Sequence, residues 1–407
     1  MRLAAPRRSL LSGLLAGLAA RPAAAQGGEI RIGSVYPLSG PLALLGDESF
    51  RGLEIAIEER NAAGGLLGRP LRLLRGDASD QAAAVAETRR LIGTERAALL
   101  FGSYASHLSF AATQVSELQG VPFFELGAIA DNITERGLRN VFRTCPRASD
   151  FARVTVDSLA DVVAPLLGVE FGALNVALLH EDGLYGKAVA DFQATRLRER
   201  GREAVERIAY SVRSADLSGA VQRLRAAGAE VVLHTAYQND VTLFYRTMRE
   251  AGWQPRMVVG AGAGYSLTET ARSIGRSFDG TMNVDFTQFE IAERAAPGTG
   301  LFVEAYKRQY GSDPRSGHSL INYAGARICL DAVQRAGATD KDRVRAAMLA
   351  TDVPEAGTPA GWGARFDERG QNTRAQPWLL QWQDGRQVTI HPPEAAVARP
   401  RAALGTP

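Results

Sequence analysis

Apolar and polar positions follow two alternating patterns along most of the chain. Short apolar runs of strand length alternate with longer segments in which apolar residues recur every three or four positions, as on one face of a helix. Residues 30–36 form a predicted strand, and residues 47–63 form a predicted helix that stops at Gly64-Gly65. This order of strand and helix predicts an α/β fold with doubly wound parallel sheets, covered by helices on both faces.

The pattern restarts after about residue 145, which predicts a second sheet of the same kind. The predicted strands are 30–36, 71–74, 97–101, 121–125, 174–180, 204–210, 231–235, 257–259, 376–383 and 386–391. The predicted helices are 47–63, 79–92 with Ser79 as its N-cap, one from about 106, then 186–200, 217–227, 241–251, 267–274, 299–310, 319–336 and 340–350. No low-complexity linker separates the two halves.

Ligands of such sheets bind beyond the carboxyl ends of the parallel strands. The predicted loops at those ends are 37–46, 77–79, 102–107, 125–131, 180–186, 235–240 and 260–266. These loops are rich in Gly, Ser, Tyr and Ala, and they hold few groups that could act in catalysis. We therefore expect a binding site there rather than an active site.

The first 25 residues differ from the rest of the chain. Arg7 and Arg8 precede an apolar run at 10–20, and Ala23-Ala24-Ala25 follows it, which is typical of a secretory signal peptide cleaved near Ala25. The arginine pair also fits a twin-arginine export signal, and an ordinary secretory signal remains the alternative. We expect an exported, periplasmic protein.

The leader also carries the basic charge of the chain. It holds four arginines and no acid, so the formal charge falls from +3 to −1 once the leader is removed. Without a basic excess the sequence gives no support for nucleic-acid binding. Cys145 and Cys329 are far apart in sequence and read as two buried thiols, and no Cys/His cluster has metal-ligand spacing. We expect no metal site.

The stretch VVGAGAGYS at 258–266 raises the question of a dinucleotide cofactor. Its glycines are spaced G-x-G-x-G, whereas the dinucleotide fingerprint is G-x-G-x-x-G on the first strand–helix turn. We therefore expect no cofactor, and a tight, close-packed loop is the simpler alternative. Nucleophilic catalysis has no support either, because Ser106 and His107 are adjacent and no G-x-S-x-G elbow is present. We expect that the protein is not an enzyme.

The chain resembles solute-binding proteins of ABC transporters, of the leucine/isoleucine/valine-binding type. The motifs are Val35-Tyr36-Pro37-Leu38-Ser39-Gly40-Pro41, Asn61-Ala62-Ala63-Gly64-Gly65, Asp77, Phe101-Gly102-Ser103, Gly127-Ala128, His180 to Gly186, and Phe366-Asp367-Glu368-Arg369-Gly370. The resemblance implies two lobes around a cleft, joined by three crossings, that close on a small molecule and deliver it to an inner-membrane permease. It suggests lobe boundaries at 29–145 plus 286–360 and at 146–285 plus 361–393, with a tail at 394–407.

The resemblance also implies ligand-binding residues in the first lobe. Ser106 matches a serine that binds the ligand carboxylate, and it is equally a candidate N-cap of the next helix. Gly127 and Ala128 match residues whose backbone groups bind the ligand, and the family's threonine is replaced by Ile129. The remaining matches on this side are Tyr104, Leu45 as an apolar wall, and His318, which could donate to a carboxylate or cap a helix.

Two tyrosines match cleft residues of the second lobe. Tyr185 and Tyr237 align with aromatic residues that cover the ligand, although each could simply be a half-exposed ring at a strand end. The positions of the family's usual disulfide align with Ser79 and Ala105, so that disulfide is absent.

The chain departs from the family at Gly262. Amino-acid binders keep a glutamate at this position, where it pairs with the ligand ammonium, and a buried ammonium without a counter-charge is costly. We therefore expect a carboxylate without an α-amine, such as an aromatic or aliphatic acid. The alternatives are an amino acid held by a substitute acid, with Glu125, Asp131 and Asp240 as candidates, or a ligand-sensing regulator on the same fold.

Overall fold

A computed structural model describes Met1 and residues 28–405 of the 407-residue chain. The predicted signal peptide therefore lies outside the described residues. Within the described part, no helix combines the length and apolar character needed to span a bilayer.

The described residues form fourteen strands and twelve α-helices. The strands are β1 (Ile30–Tyr36), β2 (Leu71–Asp77), β3 (Leu99–Gly102), β4 (Phe123–Glu125), β5 (Val141–Arg143), β6 (Val176–Glu181), β7 (Glu206–Tyr210), β8 (Val231–Thr235), β9 (Met257–Gly260), β10 (Met282–Asp285), β11 (Asp352–Val353), β12 (Ala364–Arg365), β13 (Trp378–Gln383) and β14 (Arg386–His391). The helices are α1 (Ala43–Ala62), α2 (Gln81–Gly93), α3 (Ser106–Gln119), α4 (Ala148–Ser158), α5 (Ala164–Leu167), α6 (Leu184–Glu199), α7 (Ser218–Ala226), α8 (Gln238–Glu250), α9 (Thr268–Ile274), α10 (Thr299–Tyr310), α11 (His318–Ala336) and α12 (Lys341–Leu349).

Two sheets organise the molecule, which confirms the predicted α/β class. The first sheet has the order β2-β1-β3-β4-β5, and all of its pairings are parallel. The second has the order β14-β13-β10-β9-β8-β6-β7, with an antiparallel edge formed by β13 and β14. We call the bodies built on these sheets the first and second lobes. Most of their strands are buried along their whole length, as expected for sheets covered on both faces.

The chain passes between the lobes three times. It leaves the first sheet after β5, returns after β10 to form α10 to α12, and leaves again before β13. The first and third passages are tied together by Asn372, whose amide donates to the Thr144 carbonyl at 3.0 Å. A second amide, that of Gln371, donates to the Cys145 carbonyl at 3.0 Å.

Several elements differ from the sequence prediction. The N-cap of α2 is Asp80, whose carboxylate accepts the Ala83 N–H at 2.8 Å, and Ser79 precedes it. The suggested boundary at 361 is also too early, because Phe366 packs in the core of the first lobe. Both cysteines are buried and unpaired, as expected.

Three elements near the lobe boundary, β5, α4 and β10, were not predicted. In α4 the run Val154-Thr155-Val156 consists of residues that favour strands, so the sequence hides the helix. In β10, Asn283 and Asp285 give the strand a polar pattern, although all four of its residues are buried. Their side chains bond to each other, so the strand can lie inside the sheet.

Candidate functional site

A cavity lies between the lobes, beyond the carboxyl ends of the parallel strands. About 300 Å³ at this place is filled by no protein atom, a volume that counts space open to solvent. Residues of both lobes line it: Tyr104, Ser106, Gly127, Ile129, Phe151, Tyr185, Tyr237, Ala261, Gly262, Ala263, Phe286 and His318. The structure thus brings together eight of the ten predicted site residues; Ala128 and Leu45 are the exceptions.

Ser106 is the first residue of α3 and faces the cavity. The N-cap is Ala105, so Ser106 does not cap the helix by its side chain. Its hydroxyl oxygen accepts the Ala130 N–H at 3.2 Å, and its proton is donated to no group among the described residues. The N–H groups of Ser106 and Ile129 likewise donate no hydrogen bond within residues 28–405. These three donors suit a carboxylate, which is also favoured at a helix N-terminus.

The N–H groups of Gly127 and Ala128 do not face the cavity. Both donate to one carboxylate oxygen of Glu125, at 2.8 Å and 2.7 Å. Ser103 adds its N–H at 2.8 Å and its hydroxyl at 3.0 Å, and the Ser109 hydroxyl donates as well. The N–H groups of Gly127 and Ala128 are therefore not available to a ligand, because they satisfy the buried carboxylate of Glu125. Gly127 still lines the cavity, whereas Ala128 does not.

Aromatic rings form most of the cavity wall. Tyr104 of the first lobe meets Tyr237 of the second edge-on, with ring centroids 6.2 Å apart. Tyr185 packs against Tyr237 at 5.3 Å, and its hydroxyl donates to the Ala261 carbonyl. The hydroxyls of Tyr104 and Tyr237 bond to no group in the described part of the chain, so both are free to bond a ligand.

Four lining residues were missed from the sequence. Phe151 and Phe286 pack edge-on at 5.4 Å, and both belong to the unpredicted segments around α4 and β10. Phe286 directly follows β10, so recognising that strand would have predicted its place. Ala261 and Ala263 flank Gly262 in a loop that was predicted to face the cleft.

His318 is a neutral polar group in this wall. Burial lowers its pKa to about 3, because the charged ring would be desolvated. Its Nδ1 lies 2.8 Å from the Ser316 hydroxyl, and its ring packs between Tyr104 and Phe286. His318 is the first residue of α11, whose N-cap is Gly317, so it does not cap that helix by its side chain.

Leu45 does not line the cavity. It lies in the first turn of α1, because that helix begins at Ala43, inside the segment that was predicted as a loop. The side chain is buried in an apolar cluster with Val35 and Leu267. Its predicted contact with the ligand is therefore wrong.

Gly262 holds a position that accepts no side chain easily. Its φ of +74° lies in the left-handed region, and a Cβ there would stand 3.1 Å from Oδ1 of Asp285 and 3.3 Å from Phe151. Its N–H donates to the Asn283 side chain at 2.8 Å. A buried acid that the sequence did not suggest thus lies directly behind Gly262.

Four protein donors bind the Asp285 carboxylate. Oδ1 accepts the Phe286 N–H at 2.7 Å. Oδ2 accepts Asn283 at 3.0 Å, Gln288 at 3.1 Å and the Ser266 hydroxyl. Burial nevertheless raises the pKa of Asp285 to about 7, because these bonds only partly offset the loss of water.

The other acidic side chains near the cavity accept hydrogen bonds from N–H groups of the protein. Asp240 accepts the Tyr237 N–H at 3.2 Å, and burial raises its pKa to about 7. Glu181 accepts the N–H groups of Gly183 and Gly186, and Asp131 accepts the Ser149 N–H at 3.0 Å. None of them lines the cavity. In the described ranges, no group of three or more His, Cys, Asp or Glu residues could hold a metal ion.

Comparisons with known proteins agree with this architecture. A family model described as "Periplasmic binding protein" matches residues 29–387. The Leu/Ile/Val-binding protein homolog 7 of Brucella suis biovar 1 (strain 1330) is 48% identical over 392 residues, which cover 96% of this chain and 97% of the relative. Homolog 8 of Brucella abortus (strain 2308) is 44% identical over 374 residues, covering 92% and 93%.

Solved structures share the fold at low identity. The leucine-binding protein LivK of Thermotoga maritima aligns with a TM-score of 0.78 at 20% identity, covering 88% of this chain and 97% of that one. LivJ of Streptococcus pneumoniae in complex with isoleucine aligns with a TM-score of 0.76 at 19% identity, covering 91% and 100%. These likenesses concern the arrangement of the lobes and not the ligand.

Proposed function

The chain belongs to the family of periplasmic binding proteins that serve ABC transporters, and we propose that its ligand is a small organic carboxylate without an α-amine. The protein would capture this solute in the cavity between its lobes and deliver it to a permease in the inner membrane. Its chemistry is reversible binding.

Neutral donors would hold the carboxylate group. Ser106 is the first residue of α3, and Ile129 directly precedes Ala130, whose N–H donates to the Ser106 hydroxyl oxygen at 3.2 Å. The Ser106 hydroxyl and the N–H groups of Ser106 and Ile129 donate to no other described group. The free hydroxyls of Tyr104 and Tyr237 lie in the same wall. Charge-assisted hydrogen bonds of this kind are shorter and stronger than neutral ones, so a carboxylate needs no cation here.

One observation carries the proposal: none of the described residues that line the cavity is an Asp, Glu, Lys or Arg, and His318 in the lining is neutral. Gly262 holds the position at which amino-acid binders of this family place their acid. The three substitute acids considered from the sequence, Glu125, Asp131 and Asp240, are absent from the lining and are bonded to protein groups. The apolar part of the ligand would face Ile129, Phe151 and Phe286.

A matched pair of compounds tests the ligand class. L-leucine and 4-methylpentanoate share a carbon skeleton and differ by the α-amine, so we expect 4-methylpentanoate or an aromatic analogue such as phenylacetate to raise the melting temperature more than leucine does. Strong stabilisation by leucine and none by any amine-free acid would refute the proposal.

The Ser106→Ala substitution tests the binding mode with whichever acid is found. It removes one hydrogen bond to a charged group, so we expect affinity to fall about tenfold or more in calorimetric titration. Ser49→Ala is the control, because Ser49 is buried and its hydroxyl has no partner. Equal affinities for the two variants would exclude Ser106 as a ligand contact.

A branched-chain amino acid is the second candidate. Asp285 favours it, because Oδ1 accepts only one N–H and lies just behind Gly262, where a ligand ammonium would approach. The printed names of the relatives point in the same direction. In the compound screen this candidate predicts the opposite order, with leucine above 4-methylpentanoate.

A further inference from the structure

The lobes also meet outside the ligand cavity, at the start of α9. Residues 267–269 of the second lobe directly follow the glycine loop and the Ser266 contact with Asp285. They face α1 and the 311–317 loop of the first lobe. We use the name closing latch for two contacts between the lobes. One is the ion pair of Glu269 with Arg315, and the other is the packing of Leu267 against apolar residues of the first lobe.

Arg315 binds groups of both lobes. Its Nε lies 3.2 Å from Oε1 of Glu269 in the second lobe. Its Nη1 lies 3.1 Å from Oδ2 of Asp47 in the first lobe, and its N–H donates to Glu48 at 3.1 Å. Its carbonyl accepts the Thr268 N–H at 3.4 Å. The side chains of Arg315 and Glu269 are both 28% exposed, so the pair is only partly screened by solvent.

Arg315 is held in place by the first lobe itself. Glu48 is buried and also accepts the Tyr306 hydroxyl at 2.7 Å and the Ser319 hydroxyl at 2.6 Å, while Asp47 pairs with Arg51 at 2.9 Å. The guanidinium therefore keeps partners when the lobes separate. Glu269 would lose its cationic partner and keep only the Thr268 hydroxyl of its own lobe, which donates to its Oε2 at 3.2 Å. The ion pair is therefore specific to the closed arrangement.

Leu267 adds an apolar contact beside the ion pair. It is 1% exposed and belongs to an apolar cluster with first-lobe residues, among them Val35, Leu45 and Tyr104. Separation of the lobes would return this side chain to water. Burial of a leucine side chain favours the closed form by a factor of roughly ten or more.

We propose that the closing latch holds a fraction of the protein closed before any ligand is bound. Arg315 and Glu269 would then be positioning residues, because they set the closed population without touching the ligand. Apparent affinity scales with the fraction of protein in the binding-competent state, so the latch would raise affinity for every ligand by the same factor. The inference goes beyond the proposed ligand class and does not depend on it.

The test measures the distance between the lobes in the ligand-free full-length protein. Spin labels on exposed positions, introduced as Lys341→Cys on the first lobe and Arg225→Cys on the second, report the distance distribution. We expect a short-distance population that Glu269→Gln lowers by a factor of up to about 5, the range of a partly exposed ion pair. Leu267→Ala should lower it further.

Glu95→Gln is the matched control. The Arg90–Glu95 pair has the same 3.2 Å separation and similar exposure, but both partners lie in the first lobe. It should leave the distance distribution unchanged. Circular dichroism checks that the Glu269→Gln and Leu267→Ala variants are folded. The proposal is overturned if both folded variants give the same distance distribution as the unchanged protein. Because no ligand is added, this result is independent of the compound screen.

Discussion

At the scale of single residues, the cavity is defined by the charged side chains that its wall does not present to a ligand. Gly262 presents no side chain, His318 stays neutral, and the buried acids are bonded to protein donors. The family resemblance points to Gly262 directly, because it implies an acid at this position. It could not point to Asp285, which lies more than twenty residues away and reaches Gly262 only because β10 pairs with β9, with Asn283 opposite Gly260.

Ligand binding is expected to depend on pH through Asp285 and Asp240, whose pKa values are each raised to about 7. An anion in the cavity disfavours their ionised forms, so its binding takes up protons. An amine-free carboxylate should therefore bind more tightly at pH 6 than at pH 8, by up to about tenfold for a coupling of one pKa unit. An ammonium paired with Asp285 would reverse the sign.

Calorimetric titrations at pH 6, 7 and 8 check this dependence. His318 does not contribute, because its pKa of about 3 keeps it neutral throughout. The Asp285→Asn substitution should remove most of the pH dependence of the affinity. Tighter binding of an amine-free acid at pH 8 would contradict the expectation.

At the scale of elements, the periodic segments were predicted well and the functional irregularities were not. The strands β1 and β8 and the helix α10 have the predicted bounds, because apolar periodicity reports burial in sheets and helix faces. The polar strand β10 and the Glu125 contacts depend on side chains from other elements, which a local pattern does not contain. Glu125, at the end of β4, shapes the loop that carries Gly127 and Ile129 to the cavity.

Glu125→Gln is expected to destabilise the protein by about 2–4 kcal/mol. Five N–H and O–H groups donate to the carboxylate. The glutamine amide would replace one accepting oxygen by an NH₂ group, which cannot accept these hydrogen bonds and leaves buried donors unsatisfied. Urea unfolding measures the change. Glu58→Gln, on an exposed position of α1, should stay within about 0.5 kcal/mol. Equal stabilities for the two variants would mean that the amide satisfies the same donors.

At the scale of the whole molecule, hydrogen bonds between the crossings connect the two lobes in addition to the contacts across the cleft. The Asn372 amide donates to Thr144 in the first crossing and to Gly363, each at 3.0 Å, and its oxygen accepts the N–H of Arg365 at 3.0 Å. Arg143 adds a bond from its Nε to Gln371 at 2.6 Å. These bonds tie the first and third crossings together, so we expect them to act as one hinge when the lobes rotate.

The Asn372→Ala substitution should loosen this unit. It leaves buried backbone groups of both crossings without a partner, so we expect a loss of about 2–4 kcal/mol and a calorimetric unfolding transition that broadens or splits into one per lobe. Asn61→Ala is the control, because Asn61 bonds the Leu71 N–H and carbonyl within the first lobe alone. It should lower the melting temperature while keeping one transition. A single sharp transition for Asn372→Ala would show that the remaining contacts between the lobes suffice to couple them.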